Sequence, residues 1–310
     1  MLDVILIGAT ALDIIAKVDR FPESDEIVLA QEVTRLPGGS ISNIAVGLAR
    51  LGLKVGFIGK VGNDDDGTFL IESLKKEKVD TSRVVISEGR TASTFIAVNK
   101  EGNRIIFALG GKALLEKPEE IPVDYLQNAR CIVIGETLPQ VAKNISVYLK
   151  KHKQEQTVFY VPGGLIASLG LEYSKDIITN IHTVILNRKE IQQLVKNTSI
   201  EKGVNILLDM GVMNVVLTLG KDGAIIYTKD RKIKVPAFKV DAVDTTGAGD
   251  AFSAGLIYSF IHKYSLEKGL IFASACAALS TTKTGAREGL PTLEEIRKFL
   301  ASRSITPNSI

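Results

Sequence analysis

The residue types best suited to catalysis lie in one short segment, Asp244 to Gly255, which reads DTTGAGDAFSAG. Gly247 and Gly249 let backbone N–H groups approach a ligand closely, and the apolar run that follows predicts a helix. The start of a helix adds unpaired N–H donors and the positive end of a dipole, which together suit an anion. Asp250 lies inside this segment, where its carboxylate would repel an anion. The pattern therefore indicates phosphoryl transfer in which Asp250 accepts the proton of an attacking hydroxyl.

A second glycine-containing segment, GGSISN, runs from Gly38 to Asn43 just before an apolar helical pattern. It predicts a turn that brings backbone donors to a polar ligand, with the Asn43 amide contributing. The alternative is a plain loop in which Ser42 or Asn43 caps the helix. Asp13 follows the first strand, and its carboxylate could accept from two neighbouring hydroxyls of a sugar or ribose. The alternative for Asp13 is an acid in a surface turn.

Polar side chains also follow three buried strands. Glu136, Asn187 and Thr218 each come at the end of an apolar run. Ligands of open α/β sheets bind beyond the carboxyl ends of the strands, so we expect these residues to face the ligand crevice. Glu190 lies one helical turn beyond Asn187, and the two side chains could hold the water shell of Mg²⁺ near phosphates. The alternative for Glu190 is a solvated helix face.

Six short apolar runs rich in β-branched residues predict buried parallel strands, because they show no alternation of polar and apolar positions. The runs are LDVILIG from residue 2, KVGFIG from 54, CIVIG from 131, TVFYVP from 157, HTVILN from 182 and NVVLTLG from 214. Helical patterns with capping residues lie between most of them. The alternation predicts an α/β fold with a doubly wound, mainly parallel sheet flanked by helices.

Two regions do not fit this alternation. Residues 13–36 contain two extended runs around a Pro-Glu-Ser-Asp turn, and residues 91–109 read as a hairpin that turns at residues 101–103. We expect them to form a small separate β-sheet that acts as a lid over the ends of the main strands. Since no linker or repeat interrupts the chain, the prediction is a single domain over residues 1–310.

Composition excludes several function classes. The 38 basic and 35 acidic residues nearly balance, so neither nucleic acid nor a membrane is expected as a partner. No apolar run approaches the length of a membrane span and no signal peptide is visible, which predicts a cytoplasmic protein. The sequence lacks a Walker A motif and the glycine fingerprint of dinucleotide-binding proteins. These absences argue against a P-loop enzyme and a nicotinamide dehydrogenase.

Taken together, the motifs resemble those of the ribokinase-like (PfkB) carbohydrate kinases. The stretch from Gly38 to Gly67 is similar to the N-terminal signature of that family, and DTTGAGDAFSAG is similar to its more specific C-terminal signature. The segments NRKE and TLGKDGA lie between the two signatures, and KTGAREGLPT lies after the second, which is the order seen in the family. The resemblance covers nearly the whole chain.

The resemblance implies an ATP- and Mg²⁺-dependent kinase that phosphorylates an alcohol. In that family pattern Asp250 is the catalytic base, and the backbone amides of Gly247, Ala248 and Gly249 form an anion hole. Asp244 and Thr246 match the ligands of a monovalent cation such as K⁺, which not all members of the family use.

The resemblance also assigns binding residues. The nucleotide positions are Asn187, Thr218, Gly220, Gly223, Ser274 and Ala278. The acceptor positions are Asp13, Gly38, Gly39, Asn43 and Glu136. The predicted lid matches a family element that excludes water on closing and in many members pairs two subunits, so a homodimer is expected.

Departures from the family pattern bear on the acceptor. Ala11 stands where ribokinases have Asn, which weakens an assignment to D-ribose. Ser40 stands where several phosphosugar kinases have Lys, although Arg90 and Arg104 could supply cations from the lid. The leading prediction is a sugar kinase, and the alternative is a nucleoside kinase with the same base. A phosphosugar kinase and a non-catalytic sugar or nucleotide sensor are further alternatives.

Overall fold

The apolar runs assemble into one large sheet. A computed structural model describes residues 1–152, 155–196 and 198–305, so residues 306–310 of the predicted domain lie outside the described residues. With strands and helices numbered in chain order, the strands of this sheet are β1 (Leu2–Ile7), β4 (Val55–Ile58), β9 (Ala129–Ile134), β10 (Thr157–Tyr160), β11 (Thr183–Asn187), β12 (Asn214–Thr218), β13 (Ala224–Tyr227) and β14 (Lys232–Val235).

The sheet order is β14-β13-β12-β11-β10-β9-β1-β4. The six strands predicted from the sequence pair in parallel, which confirms the mainly parallel sheet. Strands β13 and β14 add an antiparallel edge that the sequence analysis did not anticipate. This edge places the turn between β12 and β13 beside the carboxyl ends of the parallel strands.

Helices cover both faces of the sheet. They are α1 (Ser40–Arg50), α2 (Asp65–Lys76), α3 (Val123–Leu126), α4 (Pro139–His152), α5 (Gly163–Leu169), α6 (Leu171–Ile178), α7 (Arg188–Leu194), α8 (Ile200–Asp209), α9 (Ala248–Ile261), α10 (Leu266–Ser280) and α11 (Leu293–Ser302). Along β1, Val4 packs with α1, α9 and α10, whereas Ile5 packs with α4, α6 and α8. Successive strand residues thus enter two separate cores, which is the doubly wound arrangement.

The helix ends follow the local signals in the sequence. Asp64 caps α2 by accepting from the Gly67 N–H at 2.8 Å, and Thr292 and Glu295 form the predicted capping box of α11. Gly52 has φ +94 just after α1, as predicted for the residue that ends this helix. None of the helices within the described residues is long and apolar enough to cross a membrane.

A second, four-stranded sheet lies apart from the first and confirms the predicted separate β-layer. Its strands are β2 (Ala11–Lys17), β3 (Glu32–Gly38), β7 (Ser93–Val98) and β8 (Arg104–Gly110), in the order β3-β2-β7-β8. The strands reach slightly beyond the predicted 13–36 and 91–109, because Ala11 pairs with Gly38 and Ser93 with Gly110. Two further short strands, β5 (Lys60–Gly62) and β6 (Val85–Ser87), pair with each other beneath it.

Candidate active site

The glycine-rich segment forms the start of α9. Gly247 precedes the helix with φ +78, and a Cβ there would lie 2.8 Å from the backbone oxygen of Ala286. Only glycine therefore fits this position without strain. The Ala248 N–H donates to the Thr245 carbonyl in a long bond of 3.3 Å. The helix start thus presents backbone donors and a positive dipole end beside Asp250 in its first turn.

Two side chains of α1 hold the carboxylate of Asp250. Ser40 Oγ donates to Oδ1 at 2.6 Å, and Asn43 Nδ2 donates to Oδ2 at 2.9 Å. Burial raises the pKa of Asp250 to about 6, although these hydrogen bonds and the charge of Arg287 oppose the rise. A carboxylate with that pKa accepts a proton more readily than an exposed aspartate and is still mostly ionised at neutral pH.

The first turn of α1 brings Ser40 and Asn43 onto one face, since residues three apart on a helix are neighbours. The helix begins at Ser40 and the preceding residue is Gly39, with φ +96. Neither Ser42 nor Asn43 is therefore the cap of this helix. The sequence analysis placed GGSISN before the helix, and consequently missed the contact of Ser40 with Asp250.

Asp13 lies on β2, beside Gly38. Thr94 Oγ1 donates to Asp13 Oδ1 at 2.5 Å. A Cβ on Gly38 would overlap the Asp13 carboxylate, and one on Gly39 would lie 2.8 Å from the Ala9 backbone oxygen. Burial raises the pKa of Asp13, and the bond from Thr94 and the charge of Arg287 oppose that rise. Gly38 therefore leaves room for a carboxylate that is only partly exposed.

Glu136 follows β9 and carries an unpaired polar atom. Its Oε2 is buried and has no hydrogen-bond partner. Burial raises the pKa of Glu136 to about 7, and the nearby charges of Asp250 and Glu190 contribute to the rise. A Cβ at Gly163 would lie 2.6 Å from Oε1, so the glycine keeps the space beside the carboxylate open. Buried acceptors are normally satisfied, which points to a hydroxyl-bearing ligand at Glu136.

A cavity of about 940 Å³ opens beside the start of α9. Its lining includes five of the six predicted nucleotide positions, namely Thr218, Gly220, Gly223, Ser274 and Ala278. Ala248 and Gly249 line it as well, and so do the three cations Lys221, Lys234 and Lys239. A cavity of this size, lined by small residues and three lysines, has the volume and charge for a nucleotide polyphosphate.

Asn187, the sixth predicted nucleotide position, caps α7. Its side-chain oxygen accepts from the Glu190 N–H at 2.9 Å, and Glu190 Oε2 accepts from the Asn187 N–H at 2.8 Å. Glu190 is only partly exposed, and burial and the charge of Asp250 raise its pKa. Its carboxylate therefore belongs to the cleft and not to a solvated helix face.

Asp244 connects the loop before α9 to the loop between α10 and α11 through hydrogen bonds. Its Oδ1 accepts from the Thr246 N–H at 2.9 Å and from Thr246 Oγ1 at 2.7 Å, while Oδ2 accepts from the Gly285 N–H at 2.9 Å. Burial raises the pKa of Asp244, but these bonds outweigh it and the pKa lies below its ordinary value. Arg104 of β8 donates to Thr246 Oγ1 at 2.6 Å, so the small sheet contacts the loop that leads into the glycine segment.

Arg287 is a further residue of the site that the sequence analysis did not select. It is 4% exposed, and its Nε donates to Asn43 Oδ1 at 2.9 Å. The segment KTGAREGLPT contains it, yet nothing in the local pattern indicates that this arginine is buried beneath α1. Only the tertiary packing of the loop before α11 reveals its position.

Several known proteins resemble this chain over nearly its whole length. The family described as pfkB family carbohydrate kinase matches residues 1–293. The chain is 31% identical over 304 residues to an ATP-dependent ribose-1-phosphate kinase of Halopiger xanaduensis, which covers 98% of this chain and 99% of that relative. It is 28% identical over 307 residues to a nucleoside kinase of Methanothermobacter thermautotrophicus, covering 98% of each. The crystal structure of ribokinase from Thermotoga maritima superposes with a TM-score of 0.86 at 29% identity, covering 97% of this chain and 100% of that one.

The chain therefore belongs to the PfkB family of carbohydrate kinases, as the motif resemblance predicted. Its fold is that of ribokinase. It is an ATP-dependent phosphotransferase with an alcohol group as acceptor.

Proposed function

We propose that the protein transfers the γ-phosphoryl group of ATP to a hydroxyl of a small sugar, with Asp250 as the base. The observation that carries this proposal is the position of the Asp250 carboxylate, held by Ser40 and Asn43 at the start of α9. The charges of the acceptor candidates Asp13 and Glu136 interact with Asp250. Gly249, the residue before Asp250, lines the nucleotide cavity.

In the proposed step, the acceptor hydroxyl gives its proton to Asp250 while its oxygen forms a bond to the γ-phosphorus. The bond from that phosphorus to the bridging oxygen of ADP breaks, and ADP leaves with both electrons of the bond. The amides of Gly247, Ala248 and Gly249 would hydrogen-bond the phosphoryl oxygens, which stabilises the charge on the group in transfer. Carboxylate and amides thus serve different partners, which removes the apparent conflict between Asp250 and an anion.

Magnesium is part of the proposal. The charge of Asp250 raises the pKa of Glu136 and of Glu190, and the charge of Glu190 also raises the pKa of Glu136, so the cleft favours a bound cation. Among the described residues, no group of three His, Cys, Asp or Glu side chains has the geometry of a metal site. Glu190 would hold Mg²⁺ through water, because this ion prefers oxygen ligands and keeps several of its waters. When bound, the ion would neutralise charge on the phosphates.

Potassium stays a prediction. The carboxylate of Asp244 already accepts three hydrogen bonds from Thr246 and Gly285. These bonds brace the loop before α9 without an added ion, so we expect at most a modest effect of K⁺ on turnover. The cytoplasmic location and the single-domain organisation over residues 1–310 also stay predictions.

The charges on the acceptor side favour an unphosphorylated sugar. The carboxylates of Asp13 and Glu136 would repel a phosphate, and Ser40 supplies no cation. A phosphorylated acceptor is the alternative that Arg104 favours. Its exposed guanidinium donates to Thr246 Oγ1 and could supply a cation to the phosphate. The names of the relatives, a ribose-1-phosphate kinase and a nucleoside kinase, define the two classes to compare.

An assay of ADP release across acceptors tests the proposal. The panel contains free pentoses and hexoses, the nucleosides adenosine, inosine and cytidine, and ribose 1-phosphate, each with ATP and Mg²⁺, with and without K⁺. We expect the highest kcat/KM with a free sugar. Activity confined to nucleosides or to ribose 1-phosphate would replace the acceptor assignment, and no ADP release beyond the acceptor-free rate with any of them would support a sensor.

Glu136→Gln tests the acceptor side. Because hydrogen bonds to charged groups contribute about 1.5–3 kcal/mol, we expect kcat/KM for the acceptor to fall roughly tenfold to a hundredfold. The KM for ATP, measured at saturating acceptor, is the control and should stay unchanged, since Glu136 does not line the nucleotide cavity. If kcat/KM fell equally for the acceptor and for ATP, Glu136 would not be an acceptor-binding residue.

We also propose a homodimer formed through the small sheet. All seven residues of β8 are exposed, with Ile106 60% and Phe107 55% exposed on opposite faces of the strand. Apolar side chains exposed on both faces of a sheet are typical of an interface and not of a free lid. The contact of Arg104 with Thr246 on the body of the protein is compatible with this role.

The double variant Ile106→Glu and Phe107→Glu tests the dimer. We expect a dimeric mass for the wild type and a monomeric mass for the variant in light scattering, because two buried charges would face each partner. Met213→Glu is the matched control, since Met213 is 57% exposed but lies outside the small sheet. A monomeric wild type, or a variant that stays dimeric, would contradict the proposal.

A further inference from the structure

Arg287 has contacts that the proposed reaction does not explain. Its guanidinium donates from Nε to Asn43 Oδ1 at 2.9 Å, from one terminal nitrogen to Ser73 Oγ at 2.9 Å, and from the other to Ser42 Oγ at 2.8 Å. That last nitrogen also lies 3.5 Å from the Gly38 carbonyl oxygen. All of these partners are neutral. No carboxylate of the described residues is hydrogen-bonded to this guanidinium, although the charges of Glu288, Glu77 and Asp13 act on it. A cation that is only 4% exposed is costly to bury without a directly paired carboxylate, so its position calls for a reason beyond packing.

The contact with Asn43 supplies that reason. A side-chain amide has an acceptor oxygen and a donor nitrogen, and a rotation of the amide exchanges them. Arg287 Nε can only donate, so it fixes the oxygen of Asn43 on its own side. The nitrogen is then directed at Asp250 Oδ2, to which it donates at 2.9 Å. In the opposite orientation the Asn43 oxygen would face the carboxylate and repel it.

We propose that Arg287 is a positioning residue for the proposed base: its buried guanidinium fixes the amide of Asn43 so that the amide donates to Asp250. This inference rests on the proposed function, because it assigns a role in proton acceptance by Asp250. Through Ser42 and Gly38, the same guanidinium also joins the acceptor glycines to α1.

The backbone around Arg287 is itself held in place. Arg50 at the end of α1 donates to the carbonyl oxygens of Arg287 at 2.6 Å and Leu290 at 2.9 Å. Arg50 also pairs with Glu77 through two hydrogen bonds of 3.0 and 2.6 Å. The guanidinium of Arg287 is therefore fixed from its backbone as well as through its own donors, as a positioning role requires.

The charged groups around Asp250 define the expected pH effect. They are Arg287 before α11, Asp13 on β2, Glu136 after β9 and Glu190 on α7. Arg287 is the cation of this set, and its charge lowers the pKa of Asp250 and of Asp13. Removal of that charge should therefore raise the pKa of Asp250 and move the acidic limb of the pH profile of kcat to higher pH. Because Glu136 titrates near pH 7, the profile is measured in the Glu136→Gln background.

The test compares Arg287→Met, Arg287→Lys and Ser73→Ala. For Arg287→Met we expect kcat to fall about tenfold to a hundredfold, as for a misplaced catalytic group, and the acidic limb to move upward. Arg287→Lys keeps the charge and should restore the acidic limb, although not the full kcat. Ser73→Ala is the matched control, because it removes one partner of Arg287 on the side away from Asp250. Wild-type kcat and an unmoved limb in folded Arg287→Met would overturn the inference.

A double-mutant cycle covers the case in which Arg287→Met does not fold. If Arg287 acts through Asn43, then Arg287→Lys should add little to the loss in kcat caused by Asn43→Ala. If the fold-loss in kcat of the double variant equalled the product of the two single losses, the inference would be overturned. Asp250→Asn separates this outcome from failure of the proposed function. Full activity of Asp250→Asn would refute the assignment of Asp250 as the base. An inactive Asp250→Asn together with wild-type kcat in Arg287→Met would refute only the role of Arg287.

Discussion

Asp250→Asn is expected to lower kcat by about 10²–10⁴-fold while ATP still binds. Asparagine keeps the shape of the side chain but has no carboxylate to take the proton of the acceptor hydroxyl. It can also keep its place, because its oxygen can accept from Asn43 and its NH₂ group can donate to the hydroxyl of Ser40. The loss should therefore reflect the missing base and not a rearranged site. Steady-state kinetics and calorimetric titration with a non-hydrolysable ATP analogue measure the two quantities.

Ser40→Ala is the matched control for this substitution. It removes the 2.6 Å hydrogen bond to Asp250 Oδ1 but keeps the carboxylate, so most of the activity should remain. Because the bond from Ser40 lowers the pKa of Asp250, its removal should raise that pKa. If Ser40→Ala and Asp250→Asn were equally inactive, the hydrogen-bonded arrangement and not the base would be the essential feature.

The pH dependence of kcat/KM follows from the same carboxylate. Burial raises the pKa of Asp250 to about 6, and the reaction needs the ionised form. Because Glu136 titrates near pH 7, the profile is measured in the Glu136→Gln background. In that background, activity should be full above the pKa of Asp250 and fall as the pH drops through about 6. Asp250→Asn should lack this limb in its residual activity. An acidic limb that persists unchanged in Asp250→Asn would assign the titration to another group.

Gly249→Ala is expected to have the second-largest effect. A Cβ at this position meets no atom within 4 Å, and Gly249 lines the nucleotide cavity, so a methyl group would project into the open cleft. It would keep phosphoryl oxygens away from the amides at the start of α9. We expect kcat/KM for ATP to fall by about 10²–10³-fold, the loss typical when a donor to a developing negative charge is removed.

The stability of the glycine variants separates chemistry from folding. Because alanine is a better helix former than glycine by about 1 kcal/mol, Gly249→Ala should have an unchanged or higher Tm. Gly247→Ala is the contrast: its φ of +78 and the 2.8 Å approach to Ala286 predict a lower Tm as well as lost activity. Normal ATP kinetics in Gly249→Ala would show that the amides do not contact the transferred group.

Local patterns were sufficient for most of the fold. Buried strands such as β11 and β12 read as unbroken apolar runs, because helices cover both faces of the sheet. Helix ends followed from capping residues such as Thr292 and Glu295, whose hydrogen bonds are local in sequence. The antiparallel edge of β13 and β14 was missed, since Lys232 and Lys234 alternate with apolar residues on an exposed edge.

The site was predictable only where its residues carry their own signal. The glycines and Asp250 are adjacent in the chain, so their spacing alone indicated an anion site with a base. Ser40 lies 210 positions from its partner Asp250 in the chain, and Arg287 lies 244 positions from its partner Asn43. No local sequence pattern predicts contacts over such separations. Asn187 illustrates the opposite case, because its capping bond with Glu190 joins residues only three positions apart in the chain.

The most direct test follows the label from ATP radiolabelled at the γ-phosphorus, with the acceptor that the panel selects. Wild type and Asp250→Asn are compared in single-turnover reactions at equal ATP occupancy. The mechanism predicts that wild type places the label in a phosphate ester of the acceptor, whereas Asp250→Asn retains it in ATP. Equal ester formation by both proteins, or label released by wild type only as inorganic phosphate, would contradict it.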